Sequence, residues 1–393
     1  MKIFFVPSGY PNELYPFANS FLKEQVEALA KANHEIIVLN VAQKSLKKLT
    51  VKTDKRVTVS QNANITEYKC WIYTFRQEKY PNIYISRCEK ALKKLFSLAV
   101  QEHGKPDVVY AHFGFYAGHV MGKLCHVHDI PLVTQEHYSY LMGKNLSSKI
   151  LQYEKSAIIN SNYFCCVSNN LRESLLQNIQ LESKEKEKLM VLENMLNSNF
   201  TYHPIAKKDK FIFLSVGNLN SRKNFGLLIE AFCMAFDKGD NVELRIGGTG
   251  EEENNLHQLV KQKDRESQIV FLGLLSREDV YNENVNCNCF ALMSKKETFG
   301  IVYREALAIG RPIITSVHGG FDEDLSPLDG IQVNTFDVRD VATAMKNMRD
   351  NYDTYKLSDI SKRCLSRYSE GVVIKQIEKV LQDARTMKET DKL

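Results

Sequence analysis

The chain has 393 residues, of which 44% are hydrophobic and 25% charged, near the globular average, which excludes a disordered or fibrous protein. At about 100 to 200 residues per domain the length suggests two domains, and two domains imply a cleft. The net charge of +5 is uneven: residues 1–200 carry 25 Lys and Arg against 18 Asp and Glu, so +7, which leaves −2 for the rest.

The first element, KIFFVP, is too short for a signal-peptide core and fits a buried strand, so the chain is read as cytoplasmic. Strands follow at EIIVLNV, WIYTF, DVVYAHF, PLVTQEH and YFCCVS, separated by helical patterns such as SFLKEQVEALAKA. The second half repeats the alternation with FIFLSVG, VELRIGG, QIVFLG, CFALMS, PIITSV and GIQVNT. Alternating strands and helices predict an α/β fold with two parallel sheets. The polar stretch NSNFTYHPIAKKDK is the linker candidate. It gives an N-terminal domain over 1–200 and a C-terminal domain over 201–371, followed by an amphipathic helix and polar tail over 372–393. No apolar run approaches the roughly 20 residues that cross a bilayer.

Nine cysteines include an adjacent Cys165 and Cys166 and a Cys287-x-Cys289 assigned to one strand, but no CxxC pair, and reduced core cysteines are expected. Two basic clusters stand out, Lys44, Lys47, Lys48, Lys52, Lys55 and Arg56, then Arg87, Lys90, Lys93 and Lys94. They suit either an anionic surface or plain solvation. Nucleic acid is disfavoured, because no recognised module appears and the basic runs lack interleaved aromatics.

Ligands of open α/β sheets bind beyond the carboxyl ends of the strands. In the second half those ends carry Gly217, Gly247, Gly248, Gly250, Gly273, Glu297, Gly319 and Gly320. KKETFGIVYREALAIGRP, residues 295–312, reads as a mostly buried helix from near Phe299, whose free amides at Phe299, Gly300 and Ile301 would attract phosphate. Arg222 and Lys223 could reach a diphosphate from the opposite side. Glu305, one turn beyond Ile301, suits the two hydroxyls of a ribose, and Glu297 suits sugar hydroxyls. Without a ligand, Glu305 would need a buried cation such as Arg304 or Arg311.

SKKETFGIVYREALAIGRPIITSVHGGFDE resembles the E-x7-E region of the retaining family 4 glycosyltransferases, the group 1 glycosyltransferases of the two-domain GT-B fold. Glu297 and Glu305 have the spacing, and GGFDE matches a G-G-x-x-E ending at Glu323. VGNLNSRKNFGLLIEAF is similar to the family's phosphate-binding loop with its lysine at Lys223, and LRIGGTGEEENNL to the following strand and glycine turn. GYPNELYPFANSFLKEQVEAL resembles the acceptor loop and helix, and IPLVTQEHYS the strand that ends in an active-site histidine, here His137. Asn218 stands where the family has arginine, Asn19 where it has glycine and Met293 where it has proline.

The resemblance implies two Rossmann-like domains facing across a cleft. A nucleotide-diphosphate-sugar would bind at Gly217, Asn218, Arg222, Lys223, Gly248, Phe299, Gly300, Ile301 and Glu305. Catalysis would rest on His137, Glu297 and Lys223. It further implies sugar transfer with retention to a glycan or lipid-linked acceptor in cell-surface polysaccharide biosynthesis, without metal or cofactor, while the two basic clusters could hold the first domain against the inner face of the membrane. The acidic run Asp322 to Asp324 is read as a helix start. A dehydrogenase is disfavoured because GGTGEE lacks the G-x-G-x-x-G spacing. Phosphorolysis, epimerisation and a non-catalytic partner subunit stay open as alternatives.

Overall fold

The computed structural model describes residues 1–45, 56–74, 79–206, 209–320, 322 and 325–390, with side chains through 387. It divides into two units, Met1–Met195 with Glu370–Leu393, and Leu196–Ser369.

The first unit is built on β1 (Lys2–Val6), β2 (Glu35–Ser45), β3 (Thr58–Asn62), β4 (Ile65–Thr74), β5 (Val108–His112), β6 (Leu132–Glu136), β7 (Tyr163–Cys166) and β8 (Leu189–Val191). Their order is β3-β4-β2-β1-β5-β6-β7-β8, parallel throughout except for the β3–β4 pair. β5 and β6 are buried along their whole length, as expected of strands covered on both faces. Successive side chains of β1 alternate between those faces. Ile3 and Phe5 join Leu22, Val26 and Leu29 of the Ser20–Lys31 helix and Val373, Ile377 and Leu381 of the Glu370–Thr390 helix. Phe4 meets Phe96 of the Pro81–His103 helix edge-on at 5.9 Å. Each such apolar side chain contributes about 1.5–3 kcal/mol, which anchors the final helix to the first sheet. His34 Nε2 and Glu378 Oε1, 2.8 Å apart, reinforce that contact.

The second unit has β9 (Phe211–Val216), β10 (Val242–Gly247), β11 (Ile269–Gly273), β12 (Cys289–Leu292), β13 (Ile313–Ser316) and β14 (Gly330–Val333) in the all-parallel order β11-β10-β9-β12-β13-β14. Both sheets reverse their winding direction once, between β1 and β5 and between β9 and β12. Such switch points are where loops splay apart and ligands enter.

The two sheets bear out the α/β expectation. The sequence reading missed β3, an exposed polar edge strand without apolar alternation, and the three-residue β8. Cys287 precedes β12 rather than lying within it, and none of the nine cysteines forms a disulfide. Asp322 starts no helix; its carboxylate accepts the amides of His318 and Gly319 at 3.0 and 2.6 Å and closes a turn. Glu323 and Asp324 lie outside the described residues. Among the described residues no helix is long and apolar enough to cross a membrane.

Candidate functional site

At the switch point of the second sheet the loops after β9 and β12 come together. The loop after β9 packs directly on the glycine turn after β10. Gly217 N donates to Gly247 O and Leu219 N to Thr249 O, both at 3.0 Å. A Cβ on Gly248, at φ +129°, would stand 1.9 Å from Gly217 O, and one on Gly250 would stand 2.3 Å from Leu219 O. Glycine is therefore required at 248 and 250 by the close approach of backbones. Asn218 is exposed beside them.

Asn220 then turns the chain, accepting Lys223 N on both its carbonyl and Oδ1 at 3.1 Å. The turn sends Lys223 inward, where Nζ donates to Glu297 Oε1 at 2.5 Å, with the residues only 8% and 7% exposed. Arg222 is half-buried alongside and donates to Lys296 O at 3.4 Å. Burial alone would raise the Glu297 carboxyl. The Lys223 charge and hydrogen bond, helped by Ser294 and Arg222, outweigh burial and hold it below the usual carboxylate range. Lys223, Arg222 and Glu297 are thus the expected residues that the fold brings together.

The helix in this region spans Ile301–Ile309 behind Gly300 at φ 74°, later than the expected start near Phe299. Its amides without helical partners are those of Gly300, Ile301 and Val302, because the first turn has no preceding carbonyls. Phe299 lies outside the helix as a buried platform: the Arg304 guanidinium sits 3.7 Å from its ring centroid and 4.5 Å from that of Tyr368. Arg304 also donates to Phe299 O, and to Gly320 O at 3.4 Å. It therefore clamps the loop ahead of the helix.

Glu305 is fully buried, and its partner is neither Arg304 nor Arg311. Arg277, from the Arg277–Asn286 helix, places Nη2 2.6 Å from Glu305 Oε1. Arg311 is spent on carbonyls, those of His203, Val285 and Asn284 at 2.9, 2.8 and 3.1 Å. Glu305 Oε2 has no hydrogen-bond partner among the described residues. An open buried carboxylate oxygen costs free energy unless a ligand donates to it.

His318 escaped the sequence reading, which treated SVHGG as a glycine turn. It is buried, stacks on Tyr303 with centroids 5.0 Å apart, and accepts Gly320 N on Nδ1 at 3.0 Å. Its carbonyl accepts Glu297 N at 2.9 Å. Burial lowers its pKa to about 4, so at neutral pH the ring is uncharged.

His137 belongs to the first unit. It does not pack beside Tyr138 and Tyr140, which stack on one another at 5.4 Å. Its neighbours are Phe21, Phe113 and His112, with His112 Nδ1 3.1 Å from its Nε2. Burial lowers its pKa to about 3, and its Nδ1 has no hydrogen-bond partner among the described residues. The His137 backbone is held by its neighbour in sequence. Glu136 accepts the amides of His137 and Tyr138 on Oε1 at 2.7 and 2.6 Å and that of Gly114 on Oε2 at 2.6 Å. Glu154 lies fully buried under Gly114, where a Cβ would stand 2.1 Å from its Oε2. Burial and the Glu136 charge hold the Glu154 carboxyl well above the ordinary range, which favours its protonated form. Nothing in the sequence marked these two acids, which stand 18 residues apart and meet only through tertiary packing.

Lys44 of the first basic cluster is buried, with its ammonium 5.5 Å from the Tyr73 ring centroid, and is not part of a basic face. Lys47, Lys48, Lys52 and Lys55 lie outside the described residues.

Residues 18–198 match the family described as Glycosyltransferase Family 4, and residues 201–362 match Glycosyl transferases group 1. An uncharacterised glycosyltransferase of Methanocaldococcus jannaschii is 23% identical over 98% of this chain and 99% of its own length. The Campylobacter jejuni N-acetylgalactosamine-N,N'-diacetylbacillosaminyl-diphospho-undecaprenol 4-alpha-N-acetylgalactosaminyltransferase is 33% identical over 47% of each chain. Among solved structures, HepE of Anabaena in complex with UDP superposes with a TM-score of 0.71 over 98% of this chain and all of its own, at 18% identity.

Proposed function

Because the chain belongs to the group 1, family 4 glycosyltransferases, which move a sugar from a nucleotide-sugar donor, we propose that its second unit holds that donor and its first unit the acceptor. The carrying observation is the Lys223–Glu297 pair at the switch point, in the same unit as the open amides of the Ile301–Ile309 helix. A diphosphate suits this setting. Departure of the diphosphate builds negative charge on its oxygens, which Lys223, Arg222 and those amides would stabilise. Lys223 is neutralised by Glu297 in the unliganded protein, so the phosphate competes for a lysine already in place.

Glu305 would take the ribose hydroxyls on its open Oε2, and Glu297 the hydroxyls of the transferred sugar. Gly217, Asn218 and Gly248 would border the nucleotide with little bulk. Transfer proceeds with retention: the leaving phosphate oxygen takes the acceptor proton as the acceptor oxygen attacks from the same face. His137 is assigned by resemblance to the reacting sugar. Its neutral ring and open Nδ1 suit a hydrogen bond to a hydroxyl or, across an oxocarbenium-like transition state, a stabilising dipole, not general-base work. A lipid-linked glycan is the favoured acceptor, in keeping with the undecaprenol-linked substrate named for the Campylobacter jejuni relative, and cell-surface polysaccharide synthesis at the membrane is the setting.

A thermal-shift panel of UDP, GDP, ADP and their sugars tests the donor assignment. A ligand at about 100 times its Kd adds roughly 2.7 kcal/mol of apparent stability. A shift with one nucleotide family, lost in Lys223→Ala, supports the reading. No shift with any of them overturns it.

A further inference from the structure

We infer that Arg277 is a positioning residue of the donor site. It grips one oxygen of Glu305 so that the other alone is presented to a ribose, and that grip sets the preference for a ribonucleotide over its deoxy forms. This rests on the donor reading above and names the residue behind its selectivity for the sugar of the nucleotide.

The ion pair is one-sided. Nη2 of Arg277 stands 2.6 Å from Oε1 of Glu305, while Oε2 has no hydrogen-bond partner among the described residues. A guanidinium whose task was only to neutralise a buried carboxylate would do best with its fork on both oxygens. Here one oxygen is left open. Glu305 is fully buried, so bulk water does not reach that oxygen, and a carboxylate oxygen in this state costs free energy until a donor arrives. The adjacent hydroxyls of a ribose are such donors.

Local sequence does not favour an arginine here. Residue 277 is the first of the Arg277–Asn286 helix, where the positive end of the helix dipole opposes a cation. A residue set against a local rule marks a place where something else is gained. The side chain is also held at both ends. Ser276 Oγ accepts the amide of Asp279 at 3.1 Å and Asp279 Oδ2 accepts that of Ser276 at 2.9 Å, a capping box that fixes the root of the arginine. At its far end the guanidinium lies 5.2 Å from the ring centroid of Phe200, which is buried and meets Tyr281 edge-on at 5.7 Å. Arg277, Phe200 and Tyr281 line a groove of about 740 Å³. The cation is thus wet on one side, with 31% of its side chain exposed, and the carboxylate is dry. Shortening residue 277 opens onto the groove and removes the grip without emptying the core.

The test measures, by calorimetry on the full chain, the affinities of UDP, GDP and ADP, each beside its 2′-deoxy and 3′-deoxy forms. For the nucleotide that binds, the parent should prefer the ribose form over at least one deoxy form by about tenfold or more, the worth of a charge-assisted hydrogen bond. Arg277→Ala should bring that ratio down to about twofold or less, while affinity for the deoxy form itself moves by less than about twofold. A purely structural role would weaken both forms alike. Because Arg277→Ala leaves a buried carboxylate unpaired, Arg277→Lys is measured beside it. Its ammonium keeps the charge but not the planar fork, and the ratio should fall about two- to threefold. A ratio unchanged in both variants, equal weakening of the ribose and deoxy forms, or a parent that does not distinguish them overturns the assignment of Arg277. In each of these cases the parent still binds nucleotide and the donor reading stands. A parent that binds none of the three nucleotides overturns both.

Discussion

The two units wind their central strands alike, yet their switch points present opposite chemistry. In the second, the groups are charged and paired: Lys223 with Glu297, and Arg277 with Glu305, beside Arg304 between two aromatic rings. In the first, burial pushes several titratable groups toward their neutral forms. His112 and His137 are held uncharged by burial, and Glu154 keeps its proton. The fold supplies the crevice in both cases, and the loop residues set its charge. A site of paired charges can exchange one ionic partner for another at low cost.

The largest expected break in this contrast is Lys223→Ala. It leaves Glu297 buried and unpaired, which costs about 3–5 kcal/mol when one member of a buried pair is removed. Nucleotide affinity should fall at least tenfold, since a charge-assisted hydrogen bond is worth about 1.5–3 kcal/mol. Adding Glu297→Gln should recover much of the stability, read by urea unfolding, but not the affinity, read by calorimetry. Affinity recovered together with stability would mean that Lys223 serves the fold and not the ligand.

His137→Ala probes the neutral side. A contact made mainly in the transition state lowers kcat and kcat/KM together, and the loss should be on the order of a hundredfold, as for other preorganised donors. Nucleotide affinity should stay unchanged. Turnover near that of the parent would return His137 to a packing role.

Smaller effects come from beneath His137. Gly114→Ala drives a methyl group into Glu154 and should cost about 1–3 kcal/mol, the usual penalty of overpacking. Gly226→Ala, where a Cβ would meet nothing within 4 Å, should cost nothing and is the control. The raised Glu154 carboxyl also gives a pH signature. Glu154 has a raised pKa in the folded state, so its contribution is full below the ordinary carboxyl pKa and declines as pH rises toward the raised value. His137 and His318, lowered to about 3 and 4, work in the other direction. Their contribution is full above the ordinary imidazole pKa near 6.5 and declines as pH falls toward those values. Glu297, depressed by Lys223, adds a further loss once pH falls below the ordinary carboxyl range. Glu154→Gln keeps the neutral hydrogen-bonding form and should flatten only the alkaline limb of thermal stability. An unchanged alkaline limb would show that Glu154 is ionised in the folded protein.

The second site was more legible in the sequence than the first, for a physical reason. Its parts sit at strand ends and in one helix start, so short motifs with fixed spacing, such as Glu297 and Glu305, mark it locally. What the spacing could not give was the partner: Arg277 reaches Glu305 from a neighbouring helix, and Arg304 and Arg311, closer in sequence, are spent on aromatic rings and carbonyls. The helix start was misplaced because Gly300, left-handed, was counted as helical. In the first unit the six main strands could be read from apolar runs, whereas β3, polar and exposed, could not. Glu136 and Glu154 carry no local pattern and acquire meaning only when β5, β6 and the Ser148–Asn160 helix converge around them.

The smallest expected effect sharpens the contrast at long range. The excess of positive charge lies in the first half of the chain, and Arg87, Lys90, Lys93 and Lys94 are exposed along the Pro81–His103 helix, with Ile83 and Leu98 exposed on the same helix. Lys93 is engaged by Glu89 at 2.7 Å and Arg87 donates to Tyr73 O at 2.8 Å, so Lys90 and Lys94 are the better candidates for lipid headgroups. Basic residues near an anionic bilayer are each worth about 1 kcal/mol. Neutralising Lys90 and Lys94 to Gln should therefore lower partition onto phosphatidylserine vesicles by roughly fivefold per residue at low salt. High salt should erase the difference, because charges beyond about 8 Å are screened at physiological ionic strength. Thermal stability should not move, since neither lysine is buried. Nucleotide affinity should not move either, because the donor is assigned to the other unit. Should the parent protein fail to sediment with anionic vesicles at low salt, the basic helix face is solvated surface, and membrane charge plays no part in positioning the first unit.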